Sequence, residues 1–105
     1  MTPDPTTASG RVEPEPVTAD LVAAAVLAVP GVVRLHPGRF GEVGTYLPGR
    51  RVAGIRLTDA VAEVHVVLEV GEPVQAVAQQ VHAVVAAVVD VPVRVVVDDL
   101  APAVP

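Results

Sequence analysis

Hydrophobic positions recur with two different periods along the chain, and the switches between them mark out the elements. Leu21, Val22, Ala25, Val26 and Val29 fall on one stripe at helical spacing. A helix is therefore predicted over 19–29, with Thr18 as its N-cap. Pro30-Gly31 ends it, because proline lacks the helical donor and glycine tolerates the closing turn. Val32 to His36 reads as a short strand closed by Pro37-Gly38, and Val52 to Thr58 as a second, followed by an Asp59-Ala60 turn. Val61 to Val70 is the strongest strand. Ala62, Val64, Val66, Leu68 and Val70 share one face, while Glu63, His65 and Glu69 point the other way.

Gly71-Glu72-Pro73 opens a second helix, with proline suited to the first turn and the carboxylate favourable beside the helix dipole. Val74, Val77, Ala78, Val81, Val85 and Val88 form its apolar face; Gln75, Gln79, His82 and Ala86 lie opposite. Asp90 to Pro92 ends it, and Val93, Val95 and Val97 alternate through a last strand to Leu100.

The order α-β-β-β-α-β, with one apolar stripe per helix and one apolar face per strand, predicts a two-layer α+β fold with both helices on one face of a mixed sheet. The crossover through the second helix makes the third and fourth strands parallel. Glu63, His65, Glu69, Arg94 and Asp98 are expected on a solvated opposite face, and strand order is left open. Residues 1–16, with Pro3, Pro5, Pro14 and Pro16 among polar neighbours, read as a flexible tail; 17–100 form the domain, and 101–105 a frayed end.

Composition sharpens this picture. Half of the 105 residues are hydrophobic but only 2% are aromatic, so the core must be built from Val, Ala and Leu. With no cysteine, disulfides and thiolate metal sites are ruled out. A net charge of −5 argues against general nucleic-acid binding. No stretch is apolar enough to span a membrane, the 21–33 segment being short and broken by Pro30-Gly31. The N-terminus has no signal-peptide pattern, so the expected location is cytoplasmic.

Side chains suited to catalysis or metal binding are scattered. His36, His65 and His82 lack the spacing of a metal-binding pair, and the lone serine, Ser9, sits in the tail. Asp98-Asp99 reads as a strand cap or solvated edge, since strand neighbours point to opposite faces. No Gly-rich phosphate loop occurs. The expectation is a protein without catalytic, cofactor-binding or metal-binding residues.

One stretch breaks the pattern. Between residues 31 and 56 lie five arginines (34, 39, 50, 51 and 56) against the single Glu42, and the only Phe and Tyr fall there too. Arginines and aromatics dominate interface hot spots. Arg39, Phe40, Tyr46, Arg50 and Arg51 are thus the candidate partner-binding residues, on a loop of about 15 residues, long for a compact domain and so either functional or mobile. The alternative is that Phe40 and Tyr46 fold back as a lid over the sheet end.

The segments Ala23 to Val33, Gly54 to Leu57, Ala62 to Gly71, Pro73 to Val81 and Val93 to Leu100, in this order and with a glycine-bearing basic loop between the first two strands, resemble the alkaline shock protein twenty-three family of bacterial envelope stress response proteins. The resemblance covers roughly residues 17–100. It implies a non-enzymatic, self-associating protein held at the inner face of the cytoplasmic membrane by a membrane-anchored partner. A KH-like RNA-binding module is the alternative for an α+β domain of this size, although the GXXG loop of that class is absent.

Overall fold

The computed structural model describes residues 16–102. Its elements are α1 (Pro16–Leu27), β1 (Val32–Leu35), β2 (Gly44–Leu47), β3 (Arg50–Ala53), β4 (Ile55–Leu57), β5 (Ala62–Glu69), α2 (Val74–Ala86) and β6 (Val93–Ala101). The expected two-layer α+β architecture is present, with helices packed on a mixed sheet. The 37–51 segment, expected as a loop, contains an added feature: β2 and β3 pair there as an antiparallel hairpin, Tyr46 opposite Arg51 and Leu47 opposite Arg50. Pro48-Gly49 supplies its turn, Gly49 at a φ of +75°.

β5 is the centre of the main sheet. β6 runs parallel along one edge, from Ala62 opposite Val93 to Glu69 opposite Ala101, so the predicted parallel relation holds. On the other edge β4 and β1 lie end to end, both antiparallel to β5: β4 pairs with Ala62 to Val64, β1 with Val66 to Leu68. Ala101, expected in a frayed end, belongs to the sheet and accepts the Val70 amide at 2.9 Å. The expected tail over 1–16 and frayed end over 101–105 otherwise fall almost wholly outside the described residues.

The expected strand over 52–58 is broken at Gly54, and the reason is steric. Gly54 is buried at a φ of +86°, and a Cβ there would lie 2.8 Å from the Leu35 Cβ and 3.0 Å from the His36 backbone. Only glycine allows the chain to pass so close.

Val22, Val26, Ile55, Val64, Val66, Leu68, Val77, Val81 and Val85 form the core between helices and sheet. α1 begins at Pro16, two residues before the expected cap at Thr18. Leu21, expected on its buried stripe, is about half exposed; Ala19, Val22, Val26 and Val29 fill that role. The second helix is shorter than expected, closing on Ala87, whose N–H donates to the Ala83 carbonyl, while the next N–H, of Val88, donates to the Val85 carbonyl. The far face of the sheet is not the solvated surface expected from alternation, because Val67 is fully buried and His65 nearly so.

Candidate functional site

The chain leaves the sheet at His36 and rejoins it at Gly54, and both points meet His65. The His36 amide donates to the His65 carbonyl and the His65 amide donates to the Gly54 carbonyl, each at 2.9 Å. The excursion is braced from within. Val43 N–H donates to the Pro37 carbonyl and Gly54 N–H to the Val43 carbonyl, again at 2.9 Å. Gly41 N–H closes the first turn on the Gly38 carbonyl at 3.1 Å. Gly38 and Gly41 both have positive φ, and a Cβ on Gly38 would strike the Val43 side chain at 2.8 Å.

Phe40 is at the tip of this turn. Its amide donates to the Glu42 carboxylate at 3.1 Å, which fixes the backbone while the ring is left 84% exposed. In the hairpin, Thr45 points inward and its hydroxyl donates to the Ile55 carbonyl at 2.6 Å. Strand alternation then turns Tyr46 outward, where it is 76% exposed. Neither ring covers the sheet end, so the lid alternative does not hold.

The arginines of the stretch divide by their contacts. Arg51 Nη2 donates to the Gly41 carbonyl at 2.7 Å and the Val43 carbonyl at 2.8 Å, and its guanidinium lies over the Tyr46 ring. This one side chain ties the Phe40 turn to the Tyr46 strand. Arg50 pairs with Asp20 of α1 at 2.8 Å, anchoring the hairpin to the helix layer. Arg56 donates to the Glu42 carbonyl at 3.2 Å and lies 3.5 Å from the Glu63 carboxylate. Among the described residues, Arg34 and Arg39 have no side-chain hydrogen bond or ion pair. Of the five candidates, then, Arg39, Phe40 and Tyr46 face outward, Tyr46 with one side of its ring against Arg51, whereas Arg50 and Arg51 hold the surface in shape.

A second cluster, which alternation alone placed in solvent, adjoins the turn. His65 Nδ1 lies 2.5 Å from Asp98 Oδ2, and its Nε2 lies 2.7 Å from Glu63 Oε2. A neutral imidazole can donate to only one of these carboxylates. The hydrogen bond to His65, more than the nearby charges, holds the Glu63 carboxyl below its ordinary range, and Arg56 and Arg94 act in the same direction. Alternation puts Asp98 on the face of Glu63 and His65; β6 then shifts register between Val97 and Asp99, a bulge at Asp98. Asp99 is registered with Val67, on the same face as His65, so the two adjacent aspartates share a face instead of opposing each other.

His36 completes the neighbourhood. Its Nδ1 accepts the Gly38 amide at 3.0 Å and lies 3.5 Å from Asp98 Oδ2. With Arg39 and Asp98 it lines an open cleft of about 420 Å3. Among the described residues no group of three or more His, Asp or Glu is arranged to hold a metal ion. The hydrogen bonds explain this: both nitrogens of His65 are engaged by carboxylates, and Nδ1 of His36 by a backbone amide. The cluster braces the base of the Phe40 turn against β6.

These features define a two-layer α+β domain that displays a rigid Arg and aromatic surface beside one sheet edge. No described helix is long and apolar enough to cross a membrane. Compared with known proteins, the chain matches no protein-family model, no curated protein and no solved structure.

Proposed function

We propose that this protein is a non-catalytic, self-associating scaffold or adaptor of the alkaline shock type, held at the inner face of the cell membrane by a membrane-anchored protein that binds Arg39, Phe40 and Tyr46. The observation that carries this reading is the exposure of the chain's only two large aromatic rings on backbone already fixed by hydrogen bonds. A rigid aromatic anchor loses little conformational freedom on binding, which is what a docking surface requires. Arg39 supplies a cation at the rim, where charge acts mainly on the rate of encounter.

The test is retention of purified protein on membranes from the native organism, measured beside thermal melting. Truncating an aromatic hot spot costs about 2 kcal/mol, roughly a 30-fold loss of affinity. Phe40→Ala should lose retention with unchanged melting, and protease treatment of the membranes should abolish wild-type retention. Retention that survives both Phe40→Ala and Tyr46→Ala would end the docking assignment. Retention that survives proteolysis would replace the protein partner with the lipid surface.

A further inference from the structure

Among the described residues β6 pairs only with β5, so nine residues of strand have one open edge. An edge of this length commonly carries lysine, proline or an inward charge that discourages pairing. From Val93 to Val97 β6 has none of these on its helix-facing side, and the bulge at Asp98 falls at the end of the stretch available for pairing.

The outward backbone groups can be assigned. Ala62 is registered with Val93, and its amide donates to the Pro92 carbonyl at 2.9 Å. In a parallel ladder a residue bonds to the neighbours on either side of its registered partner. Pro92, Arg94 and Val96 therefore turn their backbone groups toward β5, while Val93, Val95 and Val97 present theirs to the open edge. The side chains alternate independently of this. Arg94 and Val96 share the face of Glu63 and His65; Val95 and Val97 share the helix face with Val64 and Val66.

We infer that the β6 edge pairs antiparallel with β6 of a second copy of this chain, about a two-fold axis through Val96. In this register Val95 lies opposite Val97 of the copy, and both present outward backbone groups, so each pair exchanges hydrogen bonds. Arg94 lies opposite Asp98 of the copy on the polar face. Asp98 Oδ2 is taken by His65, whereas its Oδ1 has no partner among the described residues and is open to the incoming guanidinium. Shifting the register by one residue brings an outward-bonding residue against an inward-bonding one and loses the ladder. Charge and hydrogen-bond parity thus select the same arrangement, and they select a copy of this strand over an unrelated one.

This pairing gives the self-association of the proposed function a surface, and it engages none of Arg39, Phe40 and Tyr46, although Asp98 also lines the cleft beside Arg39. The hairpin belongs to the opposite edge of the sheet, beside β4, so a dimer displays two docking surfaces and can gain avidity on a membrane carrying many anchors.

The test uses the full chain, with sedimentation equilibrium over a wide concentration range and amide hydrogen exchange by NMR. The wild type should form a dimer, and the Val95 and Val97 amides should gain protection as concentration rises. Val96→Lys sets two like charges face to face at the axis and should yield a monomer with unchanged circular dichroism. Val95→Pro removes an outward donor that β5 does not use and should do the same. If the proline variant fails to fold, Val96→Lys and the exchange data decide. A dimer that persists in Val96→Lys with Val95 and Val97 unprotected would overturn this interface while leaving the scaffold reading intact. A wild type monomeric at every concentration would overturn the interface and the self-association together.

Discussion

The guanidinium of Arg51 lies 5.3 Å from the centre of the Tyr46 ring, its registered partner across the hairpin. The same side chain holds the carbonyls of Gly41 and Val43. Hydrogen bonds from a charged donor contribute about 1.5–3 kcal/mol each where they are sheltered. Arg51→Ala should therefore lower the melting temperature by several degrees, whereas Arg50→Ala, removing an exposed pair with Asp20, should leave it nearly unchanged. Differential scanning calorimetry of the two variants checks the contrast.

Gly44 extends this prediction. A Cβ there would lie 2.3 Å from the Arg51 guanidinium, well inside van der Waals contact, so Gly44→Ala must push that side chain away from both carbonyls. Gly44→Ala should match Arg51→Ala in melting, and combining them should add little, as expected for two changes acting on one interaction. Additive losses would show that Gly44 matters for another reason.

Gly54→Ala should be the most damaging glycine substitution in the excursion. Its φ of +86° and the approach to Leu35 and His36 penalise any side chain. Left-handed backbone in a non-glycine residue costs about 1–3 kcal/mol before the clash is counted. Gly49→Ala, with nothing near its Cβ position, bears the conformational penalty alone. Chemical denaturation midpoints of the pair should separate the two contributions.

Alternation along β5 suggests that Val66→Asp is severe and Val67→Asp mild. Both valines are fully buried, so both substitutions should cost several kcal/mol by placing a carboxylate where water cannot reach it. Equilibrium unfolding of the two variants tests this directly, and a mild Val67→Asp would mean that the far face opens easily.

Acid should weaken the cluster around Glu63. Its carboxyl titrates below the ordinary value of 4.5 because His65 hydrogen-bonds its charged form. A depressed carboxyl contributes stability that is fully present above the unfolded value and lost as pH falls through the folded one. Melting temperature should decline as pH drops below 4.5, and Glu63→Gln should flatten that decline. An identical acid profile in the variant would assign the loss to other carboxylates.

The parts of this protein that are legible in its sequence are those governed by long hydrophobic periods. The Val-rich runs of β5 and β6 and the 3.6-residue spacing of Val77, Val81 and Val85 place the sheet and helix layers correctly. The hairpin escapes because β2 and β3 are four residues each and carry glycine and arginine where alternation would show. The His65 cluster escapes for a different reason. Residue parity puts Glu63, His65 and Asp98 on one face, but it expects that face to be solvated, whereas Val67 and His65 are buried there and the imidazole is held between the two carboxylates. For the candidate surface, sequence nominates five residues, but the split between displayed aromatics and bracing arginines depends on which carbonyls Arg51 reaches.

The end-to-end placement of β4 and β1 beside β5 makes residues 37–53 a detour that starts and finishes at one point, the backbone of His65. Within it, buried Val43 and Thr45 and the bracing Arg51 are tied to the frame, whereas Phe40 and Tyr46 carry their side chains outside it. Recognition can therefore diversify at those two exposed positions at little expense to folding, as in scaffolds that vary side chains on an invariant frame.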